Sequence, residues 1–557
     1  MKSFSVLGIN FGGHDTSACL MIDGKLVACC EEERYCGEKH TREFPANAIR
    51  DCLSKGNLDI NDLDEVAFTY SPDILFKNKN VSKTRRSLRT KEEYEKVLKE
   101  KTGYLGNVSF WPHHMCHVAS AYFPSGFSRA LLISNDGIGE TTCSLVAKGE
   151  AGRINIVHKG NEWPHSLGLV YAAITNYLGW KASYDEGIVM GLAPYGDDTE
   201  KIPGSDMTYR DVFSEIVYPI GDYSIEVNPE WTAFHAERDK WVSDKFINLF
   251  GPKRKWEDPI TSIHKNIACA LQRRLEEIVI GQLRKAKEQT GLNKLCISGG
   301  VGLNCSLNGK IEKSKIFDEI FVQPASGDAG VSLGACYLSN KRNDKSFQPE
   351  KWHDFYLGSS FSDSQIEEYL IEKGVDYYKL NGEYSQVANI LAGGNIIGWY
   401  QGGSEFGPRA LGNRSILASP FPASMKDHIN ERVKFREEFR PFAPAVIAEK
   451  CEEYFDISQE SPHMLIACKV RDEKINSIPA VVHVDNSARV QTVTEKNNPR
   501  FRKLLDSFYQ KTGCPVLLNT SFNVKGQPIV NTPEEAFNCF NSTKIDVLIM
   551  GDFLIKE

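Results

Sequence analysis

GINFGGHDTSACL, residues 8–20, and ISNDGIGETTCSL, residues 133–145, have one shape written twice. Each is an apolar run, a turn dense in glycine, and a second apolar run. Around the first, FSVLGIN reads as a strand, Asn10-Phe-Gly-Gly-His14 as a turn, SACLMI as a strand, Asp-Gly as a hairpin and KLVACC as a third strand. Around the second, RALLISN is the strand and Asn135-Asp-Gly-Ile-Gly-Glu140 the turn. Such turns can cradle phosphate, because glycine lets the backbone bring its N–H groups close to an anion. A third loop, Ser298-Gly-Gly-Val-Gly-Leu-Asn304, lies between a strand and a helix, where a nucleotide can rest against the helix start.

Three such loops in this order resemble the two phosphate loops and the adenosine loop of the duplicated actin-like ATPase fold. That likeness implies a nucleotide held by Asn10, Gly12, Gly13, Gly137, Gly299, Gly300 and Asn304. The alternation of apolar strand runs with helical stretches gives an α/β class. IHKNIACALQRRLEEIVIGQLRKAKEQT is a good amphipathic helix. Residues 341–354, polar and proline-bearing, read as a linker between a first domain, 1–340, and a second, 355–557. Strands such as NIIGWY, PVLLNTSF and DVLIMGDFLI belong to the second domain. Residues 76–103 are strongly basic and read as a solvated helical face or lid.

Composition bounds the function. The chain has 557 residues, 41% hydrophobic and 25% charged, with a net charge of −7, which argues against nucleic acid as the main ligand. No apolar run reaches the ~18 residues of a membrane span. Fifteen cysteines lie scattered without a C-x-x-C pair, several inside apolar runs (Cys29, Cys30, Cys296). That is the pattern of a reduced cytoplasm.

WPHHMCHVASAYF, residues 111–123, holds three of the chain's 13 histidines. On a helix, His113 and His117 stand at i and i+4, and His114 and His117 at i and i+3; either pair can grip a metal. The plainer alternative is a partly buried helix whose histidines bond to neighbours. Asp136, after RALLISN, and Asp328, in QPASGDAG, are carboxylates on tight turns that follow strands. Two histidines with such carboxylates suit Fe(II), with Zn(II) or Mn(II) as weaker choices.

These stretches, with EEERYCGEKHTREFP, PHSLGLVYAAITNYLG, EGIVMGLAPYG, EFGPRALGNRSILASP, KFREEFRPFAPAV, ARVQTV and GCPVLLNTSFNVKGQPIV, resemble the ATP-dependent O-carbamoyltransferases of antibiotics and nodulation factors. The resemblance spans nearly the whole chain. It implies an actin-like domain akin to the tRNA-threonylcarbamoyl transferases, then a YrdC-like domain. It also implies Mg-ATP and carbamoyl phosphate as co-substrates, a carbamoyl-adenylate intermediate, and a small-molecule hydroxyl acceptor, the oligomeric state (a homodimer included) left open. His14, at the first loop, is the chosen base, and Lys39 stabilises developing negative charge, with His40 nearby. The metal falls to His113, His117, Asp136 and Asp328, leaving His114 to face the nucleotide or pack nearby.

In the second domain Arg409, Arg414, Lys434, Arg436, Arg440 and Arg489 suit two polyanions in one pocket, because guanidinium grips phosphate bidentately. Asn519, Ser521 and Asn523 offer neutral hydrogen bonds for a carbamate. Three positions depart from the family pattern: Ile188 for a lysine, Gly403 for an arginine, and Asn486-Ser487 for Gly-Thr. Rival readings are a fused tRNA-threonylcarbamoylation enzyme and, from another class, an ATP-binding sensor or scaffold.

Overall fold

A computed structural model describes residues 3–76, 89–237, 239–353 and 355–556. They form two compact units: Met1–Gly13 with Leu63–Lys351, and His14–Asp62 with Trp352–Glu557. Residues 77–88 of the basic stretch lie outside the described residues. Its later part is the helix Lys91–Thr102, anchored by buried Tyr94 and Leu98 and started by a Thr90–Glu93 capping box.

The first unit contains β1 (Ser5–Asn10), β4 (Glu65–Phe68) and β5 (Asn107–Phe110), while β2 (Ser17–Ile22) and β3 (Lys25–Glu31) belong to the second unit. Strand β1 runs parallel to β4 and β4 to β5; β2 and β3 are an antiparallel hairpin. The same plan returns in β6 (Arg129–Asn135), β7 (Ser144–Glu150) and β8 (Arg153–His158), with β9 (Val217–Ile220) and β10 (Ser224–Val227) forming a separate hairpin before β11 (Lys294–Ser298) and β12 (Glu319–Val322). Here β6 runs parallel to β11 and β11 to β12, and β7–β8 is the antiparallel hairpin. The pairings therefore occur twice in one order, the duplicated actin-like α/β plan.

The helix Ser262–Thr290 buries Ile267, Leu271, Leu275, Ile278 and Gln282, one face at helical spacing, and stops at left-handed Gly291. Two glycines set the framework of the site. A Cβ on Gly8 would lie 2.0 Å from the Ser332 carbonyl oxygen, so β1 and the helix Val331–Asn343 touch backbone to backbone. A Cβ on Gly334 would lie 1.9 Å from the Cys116 carbonyl oxygen, which brings that helix against the helix His113–Ser125.

The second unit is an α/β domain on an eight-stranded mixed sheet, as the YrdC-like resemblance implies. Its strands are β13 (Tyr378–Lys379), β14 (Ile397–Tyr400), β15 (Arg414–Ala418), β16 (Ala443–Ile447), β20 (Gln491–Val493), β21 (Val516–Ser521), β22 (Val547–Met550) and β23 (Phe553–Lys556), in the order β13-β23-β22-β14-β15-β21-β16-β20. A small sheet holds β17 (Phe455–Asp456), β18 (Ala467–Val470) and β19 (Ser487–Arg489). Residues 14–62 join this unit through named bonds: Cys29 N–H donates to Leu357 O at 3.2 Å, and Arg34 Nη2 to Gly407 O at 2.7 Å. No helix among the described residues is long and apolar enough to cross a membrane.

Candidate active site

Pro112 starts the helix His113–Ser125, and the buried Glu140 carboxylate replaces a capping side chain by accepting from His113 N–H at 3.0 Å and Ser71 N–H at 2.7 Å. This fixes the first turn, from which His113 and His117, both fully buried, point one way. Their Nε2 atoms stand 3.0 Å apart. Asp136 Oδ2 lies 3.5 Å from His113 Nε2 and 3.6 Å from His117 Nε2, and Asp328 Oδ1 lies at the same two distances.

These four atoms fit a metal. Donors sharing an ion about 2.1 Å away stand roughly 3.0–3.4 Å apart in octahedral or tetrahedral geometry. Charge points the same way: burial opposes protonation of His113, yet Asp328 and Asp136 push its pKa up to about 10. Burial raises the Asp136 carboxyl, but the two imidazoles hold it well below the usual range. The site is built to hold positive charge.

Neighbours aim the four donors. Gly300 N–H takes Asp136 Oδ1 at 2.9 Å, leaving Oδ2 for the centre. Tyr70 hydroxyl donates to Asp328 Oδ2 at 3.3 Å, leaving Oδ1. The Tyr70 ring also stacks on His113, centroids 4.5 Å apart and 14° from parallel. Tyr70 and Glu140 were not evident in the sequence. Their only signal is position, Tyr70 just beyond the strand EVAF and Glu140 closing NDGIGE. His114 is consumed locally: its Nε2–H donates to Thr142 O and its Nδ1 accepts from Ser134 Oγ, each at 2.9 Å. Burial, with His113 and His117, lowers its pKa to about 3.

The expected nucleotide loops divide. Gly12 adopts φ 108°, and a Cβ on Gly13 would meet Tyr70 Oη at 3.0 Å, so this turn borders the metal ligands. A Cβ on Gly299, at φ 85°, would lie 2.2 Å from Asn135 O, and Gly137 is open except for Leu169. Asn304 makes local bonds. Its Oδ1 caps the following helix at Leu307 N and its amide pairs with Gln272, which fixes the end of the glycine loop. Asn10 is likewise fully buried and accepts from Thr69 Oγ1 at 3.0 Å.

In the second unit Lys434 ends a π-helical turn, Asn430–Lys434. Its buried ammonium donates to Asn523 Oδ1 at 2.7 Å, to Asn523 O at 3.1 Å, and to Ser521 O and Oγ. Ser521 and Asn523 thus hold the lysine. Burial, then Arg436, Arg440 and Lys39, depresses the Lys434 pKa well below the ordinary lysine value. Burial, Arg440 and Arg489 do the same to Arg436, which lies over the Phe442 ring at 4.2 Å. Glu437 stands 3.6 Å from Arg440. Cations collected this way, each disfavouring its neighbour, call for an anion.

Asn519 is buried, with Oδ1 lacking a hydrogen-bond partner among the described residues while Nδ2 donates to Gln491 and to Ala410 O, next to half-buried Arg409. Arg414 is held by backbone. It is fully buried, and its guanidinium donates to the carbonyls of Gln401, Asn413, Ser359 and Gly402 over the Tyr400 ring. These four bonds brace the loop, while Nε lacks a hydrogen-bond partner among the described residues. Gly403 has a steric reason: a Cβ there would lie 2.4 Å from Tyr356 O. Ile188 is a buried core residue, and Asn486 takes a left-handed φ of 61°. His14 is partly exposed and Lys39 exposed, both in the second unit.

Comparison with known proteins adds the following. The family model described as Carbamoyltransferase N-terminus matches residues 5–337, and that described as Carbamoyltransferase C-terminus matches 388–557. An uncharacterized protein of Synechocystis sp. is 37% identical over 606 residues, covering 99% of this chain and 96% of its own. Nodulation protein NolNO of Sinorhizobium fredii is 37% identical over 560 residues, covering 98% of this chain and 79% of its own. Component A of (R)-2-hydroxyglutaryl-CoA dehydratase from Acidaminococcus fermentans superposes with a TM-score of 0.33 at 15% identity, covering 61% of this chain and 98% of that one.

Proposed function

We propose that the chain, which belongs to the carbamoyltransferase family, is an ATP-dependent O-carbamoyltransferase that acts on a small-molecule hydroxyl in two half-reactions. Residues 355–557 form the donor. Carbamoyl phosphate loses phosphate to water, and the carbamate oxygen attacks the α-phosphorus of Mg-ATP, expelling pyrophosphate and leaving carbamoyl-adenylate. Lys434, Arg436, Arg440 and Arg489 bind the polyanions, with Arg409 and Asn519 beside them. Residues 1–340 carry out transfer. The acceptor hydroxyl attacks the carbamoyl carbon, His14 takes its proton, AMP leaves, and Lys39 offsets developing negative charge. A divalent metal, iron by preference over zinc or manganese, would be held by His113, His117, Asp136 and Asp328 and would supply Lewis-acid polarisation of the adenylate phosphate.

The observation that carries this reading is the buried Lys434, held by neutral groups with Arg436 and Arg440 as its charged neighbours. Protein with ATP, carbamoyl phosphate, Fe(II) and a panel of alcohols should release pyrophosphate only when both co-substrates are present, and should give one product heavier by a carbamoyl group. Pyrophosphate release independent of carbamoyl phosphate, or turnover that requires added tRNA, would overturn it.

A further inference from the structure

Within residues 14–62 one carboxylate holds two imidazoles. Asp15 Oδ2 lies 2.8 Å from His14 Nδ1, and Asp15 Oδ1 lies 2.6 Å from His40 Nδ1. Neighbouring residues in an extended chain point to opposite sides, so a bond between the side chains of His14 and Asp15 needs a special backbone. Asp15 supplies it with a left-handed φ of 55°. His40 is also left-handed, φ 55°, and its backbone N–H is tied to Glu33 Oε2 at 2.9 Å. Strain at two non-glycine residues facing one carboxylate is the kind that folds retain at working sites.

We propose that Asp15 is a positioning residue whose carboxylate clamps His14 and His40 through their Nδ1–H groups, so that neutral His14 presents its lone pair on Nε2. The inference rests on reading His14 as the base. An ionised carboxylate only accepts hydrogen bonds, so both Nδ1 atoms must carry protons, and the remaining nitrogen of a neutral ring is the acceptor. Burial alone would raise the Asp15 carboxyl, but His14 and His40 hold it well below its usual value, which keeps it an acceptor. His14 has a side-chain exposure of 32% against 20% for Asp15, so the outward ring has access while the clamp is covered. Asp15, Glu33 and His40 also bring donor atoms close enough together for a cation. Both Asp15 oxygens are already engaged by ring nitrogens, which favours the clamp. Glu31 is a charged neighbour of Asp15, and Glu33 bonds the His40 backbone.

The test treats full-length protein with diethyl pyrocarbonate across pH 5–9 and follows ethoxycarbonyl-His14 by peptide mass. In Asp15→Asn the amide can donate to Nδ1 and hold the opposite tautomer, so the plateau rate should fall by about tenfold or more. Its midpoint should move to lower pH, because a carboxylate that favours imidazolium is gone. Asp15→Glu should keep the wild-type midpoint, and Asp15→Ser replaces the Asn variant if that one does not fold. An unchanged plateau and midpoint in the Asn or Ser variant would overturn the clamp. Carbamoyl transfer by His14→Ala at the wild-type rate would instead overturn the base assignment, so the two failures are distinct.

Discussion

In the first unit two imidazoles and two carboxylates converge on one point; in the second, Lys434, Arg436, Arg440 and Arg489 crowd together beside Glu437. The four donors of the first are buried, and in the second Lys434 is buried with Arg436, Arg440 and Arg489 half-buried beside it; burial makes an uncompensated charge costly, so each favours a ligand of opposite sign. They differ also in how they are held. The metal donors are aimed by groups that take their other atoms: Gly300 N–H on Asp136 and Tyr70 Oη on Asp328. Lys434 is seated on Ser521 and Asn523, and the cations around it repel it. The contrast teaches that one site is preorganised for a cation and the other gathers positive charge, which suits the two half-reactions proposed above.

The largest effect should come from the anion side. Arg489→Ala should lower pyrophosphate release that needs both ATP and carbamoyl phosphate by about 10- to 100-fold, the loss of a charge-assisted contact worth ~1.5–3 kcal/mol. Metal content should not change, and a fall in bound metal would erase the contrast. Gly139→Ala probes the cation side through packing, since its Cβ would meet His114 Cδ2 at 2.9 Å and His113 Cβ at 3.3 Å. Denaturant titration should show a loss of about 1–3 kcal/mol. Tyr70→Phe keeps the ring on His113 but removes the bond to Asp328, and competition with a chelator should show metal held about tenfold more weakly.

The smallest effect is a slope. The His114 pKa is lowered in the fold to about 3 from 6.5, so the unfolded chain binds its proton first. Stability from this group is therefore present above about pH 6.5 and declines as pH falls toward 3. Melting temperatures of His114→Asn should fall less steeply than wild type over that interval, and parallel curves would show that His114 is not held neutral.

Much of this was legible in the sequence because it is local. Glycine turns after apolar runs mark β1 and β6, and i,i+4 spacing puts His113 and His117 on one face. Other features depended on packing that spacing does not encode. Arg414 reads as a phosphate ligand among GPRALGNRS, but four carbonyls of neighbouring loops use its donors. Asn304 ends a glycine loop, yet it starts the next helix and pairs with Gln272, 32 residues earlier. Tyr70 acts through a bond that spans 258 residues. Residues 14–62 read as part of the first half, but they bond to Leu357 and Gly407.

The central claim is that the cation site and the anion site serve different half-reactions. Bound metal and pyrophosphate release, measured on the same preparations of His113→Ala and Lys434→Ala, test it most directly. His113→Ala should lose metal and still release pyrophosphate in the presence of carbamoyl phosphate, while Lys434→Ala should keep metal and release none. If His113→Ala lost both together, or Lys434→Ala released pyrophosphate at the wild-type rate, the division of labour would be contradicted.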